Sequence, residues 1–157
     1  MKNILILDNI RSVMNVGSMF RTANALGIEK IYLCGITPGP VDRFKRPRKD
    51  FDKVALGADK TILWEHVDET VTLVKKLRSE GVYVVAVEQD SRALDYKDVE
   101  VQGKEAVAIL MGPEVEGVSK EVLDEVSVIA EIPMQGSKES LNVGVAFGVA
   151  AYRILNP

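Results

Sequence analysis

One cysteine, one histidine and one tryptophan occur in the 157 residues. A lone Cys34 cannot close an intrachain disulfide, so a disulfide-stapled scaffold is excluded and a reducing compartment, the cytoplasm, is expected. A lone His66 leaves no histidine-rich metal site, and no metal is expected. No apolar run approaches the roughly 20 residues that span a bilayer. The opening MKNILILDNIRS turns polar too soon for a secretion signal, so no membrane attachment is expected. A global excess of positive charge is missing too: the formal net charge is −3, which does not announce a nucleic-acid binder. Two phosphate-binding fingerprints are also absent. No G-x-G-x-x-G follows the first strand, and GSK at 136–138 lacks the upstream glycine of a Walker loop.

What is present is an ordinary globular composition, 46% apolar and 27% charged, in a length that suits one domain over residues 1–157. NILIL at 3–7 reads as a short buried strand. Val16, Met19, Phe20, Ala23 and Leu26 then recur at helical spacing, with Asn15 as candidate N-cap and Gly27 as candidate C′ residue. Strands follow at 30–36, 82–87, 106–111 and 128–132. Helices follow around Val67–Leu77 and at 119–126, and VGVAFGVAAYRIL closes the chain. Strands alternating with helices imply an α/β fold, a mainly parallel sheet with helices on both faces. Residues 88–105 read as a mobile connection. The closing helix is apolar nearly all round, so it must be covered on most sides, and its small residues suit a homodimer seam.

Such sheets bind ligands beyond the C-terminal ends of their strands, and three clusters fall there. In DNIRSVMNVGSMFRTANALG, Asn15 caps a helix whose first turn holds Gly17, with Arg21 about one turn further on. Free N–H groups and a guanidinium suit an oxyanion or phosphate, and equally describe a capped helix with a solvent-exposed arginine. In ILMGPEVEGVS, Gly112, Pro113 and Gly117 force a tight loop carrying Glu114 and Glu116; this is a ligand loop or a plain strand-to-helix turn. In IPMQGSKESLN, Ser140 and Asn142 stand where short polar side chains cap a helix start. A fourth segment, VDRFKRPRKDFDK, is basic and proline-flanked. Composition leaves it as either a solvated loop or an arm that tracks phosphates through Arg43, Lys45, Arg46 and Arg48.

N-x-G-x-x-x-R at Asn15, Gly17 and Arg21, M-G-P-E-x-x-G at 111–117, and I-P-M-x-G-S-x-x-S-L-N-V at 132–143 resemble, in order and spacing, the three motifs of the SpoU/TrmH family. Its members are S-adenosylmethionine-dependent RNA ribose 2′-O-methyltransferases of the SPOUT class. GITPGP and ALGA at 55–58 resemble the region between the first two motifs, so the likeness runs nearly end to end. It implies a C-terminal deep trefoil knot, an exception to unknotted topology. It also implies a cofactor site lined by Gly112, Ile132, Met134, Ser140 and Leu141, and a homodimer in which Arg21 reaches the partner's cofactor. The methyl acceptor would be transfer or ribosomal RNA.

The resemblance implicates Arg21 in activating the ribose hydroxyl. A guanidinium stays protonated far above neutral pH, so the physical reading is a clamp for phosphate and for charge developing on the ribose oxygen. Asn15, Glu114, Ser140 and Asn142 would position it. Many relatives carry serine where this chain has Gly144, and no added RNA-binding domain is evident, so the 41–53 loop becomes the expected RNA contact. His66, in WEHVDE at an expected helix start, reads as a surface residue. Cys34 and Trp64 read as packing. Two rival readings are a catalytically silent RNA-binding protein that retains the cofactor fold, and an RNA base methyltransferase.

Overall fold

The computed structural model describes residues 1–157, in chain order β1 (Lys2–Asp8), α1 (Val13–Ala25), β2 (Lys30–Cys34), α2 (Lys49–Ala55), β3 (Leu63–Val67), α3 (Thr70–Ser79), β4 (Tyr83–Val87), β5 (Leu94–Asp95), β6 (Ala106–Met111), α4 (Lys120–Leu123), β7 (Val128–Glu131) and α5 (Val143–Leu155). The central strands are apolar on both faces because both faces are covered. In β1, Leu5 and Leu7 enter one core while Ile6 enters the other. In β6, Val107, Ile109 and Met111 alternate in the same way with Ala108 and Leu110. Period-two side chains make this the necessary pattern of a sheet buried on both sides.

The seven strands lie in the order β3-β2-β1-β6-β4-β7-β5, and every strand pair is parallel. The larger core takes Phe20 of α1, Phe51 of α2 and Phe147 of α5. The smaller one takes Leu73 and Leu77 of α3 and Val122 of α4. With all strands parallel, the segments that follow them open on one edge. That edge gathers residues 9–12, 35–48, 112–119 and 132–142, where such sheets bind ligands.

Four expectations need correction. α1 begins earlier than Asn15: Ser12 is its N-cap, its hydroxyl accepting the Asn15 N–H at 3.1 Å. α2 occupies part of the segment read as loop. Only Phe51 and Ala55 of its seven residues are buried, too few for a visible period. β3 takes Trp64 and His66 where a helix start was expected. It is an edge strand with Leu63 at 71% exposure, so it lacks an apolar run and is held by its register with β2. The 88–105 segment is anchored: Leu94–Asp95 pairs with β7, and Val99 and Val101 are buried.

α5 is covered on most sides by its own chain. Val143, Phe147, Ala150, Ala151, Ile154 and Leu155 are buried, but Val145, Val149 and Tyr152 form an exposed stripe one turn apart. α1 lies close beside it, with Gly144 and Gly148 facing Ser18 and Thr22. On α1, Gly17 is buried against α2 and not offered to a ligand. A β-carbon there would meet Val54 Cγ2 at 2.4 Å and the Phe51 carbonyl at 3.1 Å. Gly17→Ala should therefore lower stability by about 1–3 kcal/mol in denaturant unfolding. Gly136→Ala, where a β-carbon meets nothing within 4 Å, should stay within about 0.5 kcal/mol.

Candidate functional site

A cavity of about 510 Å³ lies beyond the ends of β4, β6 and β7, against the first turn of α5. Its size is that of a small-molecule site. Gly112, Ile132, Met134, Ser140 and Leu141 all line it, and so do Glu114 and Asn142. Two glycines shape the wall. A β-carbon on Gly112 would lie 2.4 Å from Val118 Cγ2, because the loop closes back on itself there. Gly117 adopts φ +71° in the same turn, a conformation open to glycine. Glu88, at the end of β4, holds that turn: its carboxylate accepts N–H bonds from Val118 and Gln89, each 2.9 Å. Sequence reasoning passed over Glu88, whose only signal was a carboxylate directly after a buried strand.

Glu114 reaches the start of α1. Its oxygens accept the N–H groups of Arg11 at 3.4 Å and Ser12 at 3.5 Å, and the Asn15 amide at 3.4 Å. These bonds are long, yet together they place a carboxylate where helix N–H groups are unpaired and the dipole favours negative charge. Asn142 caps α5 by accepting from Gly144 and Val145, and donates to Asn15 Oδ1 at 3.3 Å. Asn15 thus links Glu114 to Asn142 across three separate segments. Ser140 takes no part in the cap; it is exposed on the cavity wall.

Arg21 is exposed and does not line the cavity of its own chain. It lies about 12 Å further along α1 than Val13 at 1.5 Å per residue. Arg11, which sequence reasoning missed, pairs with a residue of the cavity lining, its guanidinium 2.6 Å from Glu116 Oε1. A bond from its own backbone N–H, and then Arg11, hold Glu116 below the usual carboxylate range. No spacing pattern could have found a pair 105 residues apart.

The basic segment forms a tight hairpin built on Asp42. That carboxylate accepts the N–H groups of Phe44 at 2.8 Å and Arg46 at 3.0 Å, and the Arg46 Nε at 2.9 Å. Val41 and Pro47 bridge below the tip. Arg43, Lys45 and Arg46 project together, whereas Arg48 is half-buried at the start of α2. Elsewhere, burial pushes the Cys34 thiol up to about 12, which fits a packed residue and not a nucleophile. His66 bonds the Gly35 carbonyl through Nε2 at 2.6 Å. No three His, Cys, Asp or Glu side chains are grouped to hold a metal ion, and no helix is long and apolar enough to cross a membrane.

A family model described as the SpoU rRNA Methylase family matches residues 2–152. The chain is 30% identical over 151 residues to the 23S rRNA (guanosine-2′-O-)-methyltransferase RlmB of Coxiella burnetii, covering 96% of this chain and 57% of that protein. It therefore spans somewhat more than half the length of such relatives. An AdoMet-bound rRNA methyltransferase of Sinorhizobium meliloti superposes with a TM-score of 0.86 at 29% identity, over 97% of this chain and 55% of that one. A structure described in terms of 2-OH methylation of C/U34 on tRNA superposes with a TM-score of 0.74 at 27% identity, over 96% of this chain and 92% of the other.

Two outcomes follow from the geometry. Asn142→Ala should lower stability by about 0.5–2 kcal/mol, while Ser140→Ala, which removes no cap, should leave the unfolding midpoint unchanged. Asp8 is buried, and burial raises its carboxyl above 3.8, partly offset by bonds from Thr70 and Asn9. The folded state then holds that proton more tightly than the unfolded chain. Stability from Asp8 should fall as pH rises from about its unfolded value toward its raised folded one. Asp8→Asn should remove that fall and stabilise the protein at pH 7 in denaturant titrations.

Proposed function

The chain belongs to the SpoU rRNA methylase family, and from that premise we propose that it is an S-adenosylmethionine-dependent RNA methyltransferase acting on a ribose 2′-hydroxyl of ribosomal or transfer RNA in the cytoplasm. The observation that carries the reading is the cavity. All five residues that the motifs assign to the cofactor line one space of about 510 Å³, with Gly112 letting the loop close tightly against Val118 on that wall. Ile132, Met134 and Leu141 would supply apolar contact, and Ser140 a free hydroxyl. The 112–142 segment is taken as the family's trefoil-knotted region and residues 1–157 as one catalytic domain.

S-adenosylmethionine, when bound, supplies an electrophilic methyl group on a sulfonium. The remaining demand is alignment and exclusion of water, which a bound pair of reactants provides entropically. Arg21 acts as the clamp: its guanidinium holds an RNA phosphate and stabilises the charge that grows on the 2′-oxygen as the hydroxyl proton passes to solvent water. Glu114, Asn15 and Asn142 fix the start of α1 relative to the cavity and so position that clamp.

Arg21 lies off the cavity of its own chain, so the reading requires a homodimer. Met14, Ser18 and Arg21 share one stripe of α1, beside the exposed Val145, Val149 and Tyr152 of α5. Burying these apolar groups against a second copy is favourable at about 25 cal/mol per Å², and would carry Arg21 across to the partner's cavity.

Labelled methyl transfer to bulk unmodified RNA, followed by alkaline hydrolysis, tests the reaction: methylated positions should resist cleavage, and a label confined to bases would refute ribose chemistry. Arg21→Lys should lower kcat by about 10²-fold or more with unchanged S-adenosylmethionine binding in calorimetry. Mixing it with a subunit whose cavity is blocked by Ser140→Trp, at an exposed position on the cavity wall, should restore part of the activity; no recovery would place Arg21 in its own cavity. Neutralising Arg43, Lys45, Arg46 and Arg48 together should flatten the salt dependence of RNA binding by about 0.7–0.9 for each phosphate that is no longer neutralised.

A further inference from the structure

The 41–47 hairpin presents more than charge. Phe44 stands at its tip with 63% of its surface exposed, an unusual place for an aromatic side chain with no core to join. Two guanidiniums attend it: Arg43 lies 4.8 Å and Arg46 5.0 Å from the ring centroid. They are not equivalent. Arg46 is tied to Asp42 by an ion pair of 2.9 Å, whereas Arg43 makes no ion pair. The tip itself is preorganised. The Asp42 carboxylate takes the Phe44 and Arg46 N–H groups, and Lys45 sits in the left-handed region at φ 61°, which sharpens the turn.

Resting on the RNA-methyltransferase reading, we propose that Phe44 is a stacking platform for one unpaired nucleobase of the RNA, with Arg43 and Lys45 holding the phosphates on either side of it. Three observations favour an RNA occupant. Cations surround the ring, and the only carboxylate at the tip is already engaged by Arg46, so the local field favours a polyanion despite the chain's net charge of −3. An aromatic face with flanking cations is the arrangement by which proteins hold single-stranded nucleotides without reading sequence. The hairpin also follows β2, so it stands on the same edge of the sheet as the cavity beyond β6 and β7. Arg43, bound only to the ring, is free to swing to a phosphate as a base takes its place. Ring and cations then do different things. The ring selects unpaired over paired nucleotides, and the cations supply salt-dependent affinity.

Fluorescence anisotropy with bulk unmodified transfer RNA and with a fully paired RNA duplex, each over a range of salt, separates the two. Phe44→Leu should weaken transfer-RNA binding by about 5- to 100-fold with an unchanged salt slope, and should leave duplex binding unaltered. Phe44→Trp should retain wild-type affinity. Arg43→Gln with Lys45→Gln should lower the salt slope by about 1–2. Equal binding by Phe44→Leu and wild type, or equal losses on both RNAs, overturns the stacking role while leaving the methyltransferase reading intact. A change in sedimentation of Phe44→Leu also overturns it, since the ring would then belong to an interface between copies. A wild-type protein that neither binds RNA nor transfers methyl overturns both.

Discussion

The carboxylate of Glu114 resting on the N-terminus of α1 is the contact on which the rest of the site depends. Its partners Arg11, Ser12 and Asn15 lie 99 to 103 residues away in sequence, and Asn15 passes the link to Asn142, 127 residues further on. Each bond is weak by its length, and each is exposed enough for water to compete. Their joint effect is geometric. The start of α1, the turn after β6 and the start of α5 are held in one arrangement, and two helix N-termini face the same region. A carboxylate is the right group for this position, because it accepts several N–H bonds at once and is favoured by the helix dipole.

Close packing of helices gives that arrangement its rigidity. Gly17 lets α1 settle on α2, while Gly144 and Gly148 of α5 face α1 at ordinary contact distance. A β-carbon on Gly144 would lie 3.9 Å from both Ser18 Oγ and Met19 Cγ. A small residue at position 17 therefore sets the separation of α1 and α2. The glycine pattern of the closing helix thus belongs first to packing within the chain. The stripe left open beside them, Val145, Val149 and Tyr152, is narrower than an apolar helix alone would suggest.

Much of the architecture was legible. Strands apolar on both faces announce a covered parallel sheet, and NILIL, VYVVAV and AVAILM are of that kind. The five residues that the three spaced motifs single out, Gly112, Ile132, Met134, Ser140 and Leu141, line one cavity. Three elements were not legible, for physical reasons: β5 has only two residues, Leu94–Asp95, too few for any pattern. α2 buries two residues in seven, and β3 is an edge strand whose hydrogen bonds come from β2 and not from its own composition. The cap of α1 was misplaced because Ser12 and Asn15 are both good capping residues, and only backbone geometry distinguishes them.

By itself the sequence determined the fold class, the central strands and main helices, and the residue types at the sheet edge, because hydrophobic period and turn chemistry are local properties. Tertiary structure alone decided which of those residues meet. Arg11 with Glu116, Glu114 with the start of α1, and Asn15 with Asn142 are pairings across roughly a hundred residues, and nothing local encodes them. It also decided that Arg21 lies outside the lining of its own cavity, since a helix's rotation about its axis is set by what packs beneath it. That packing is fixed by Gly17, Phe20 and their neighbours in the core.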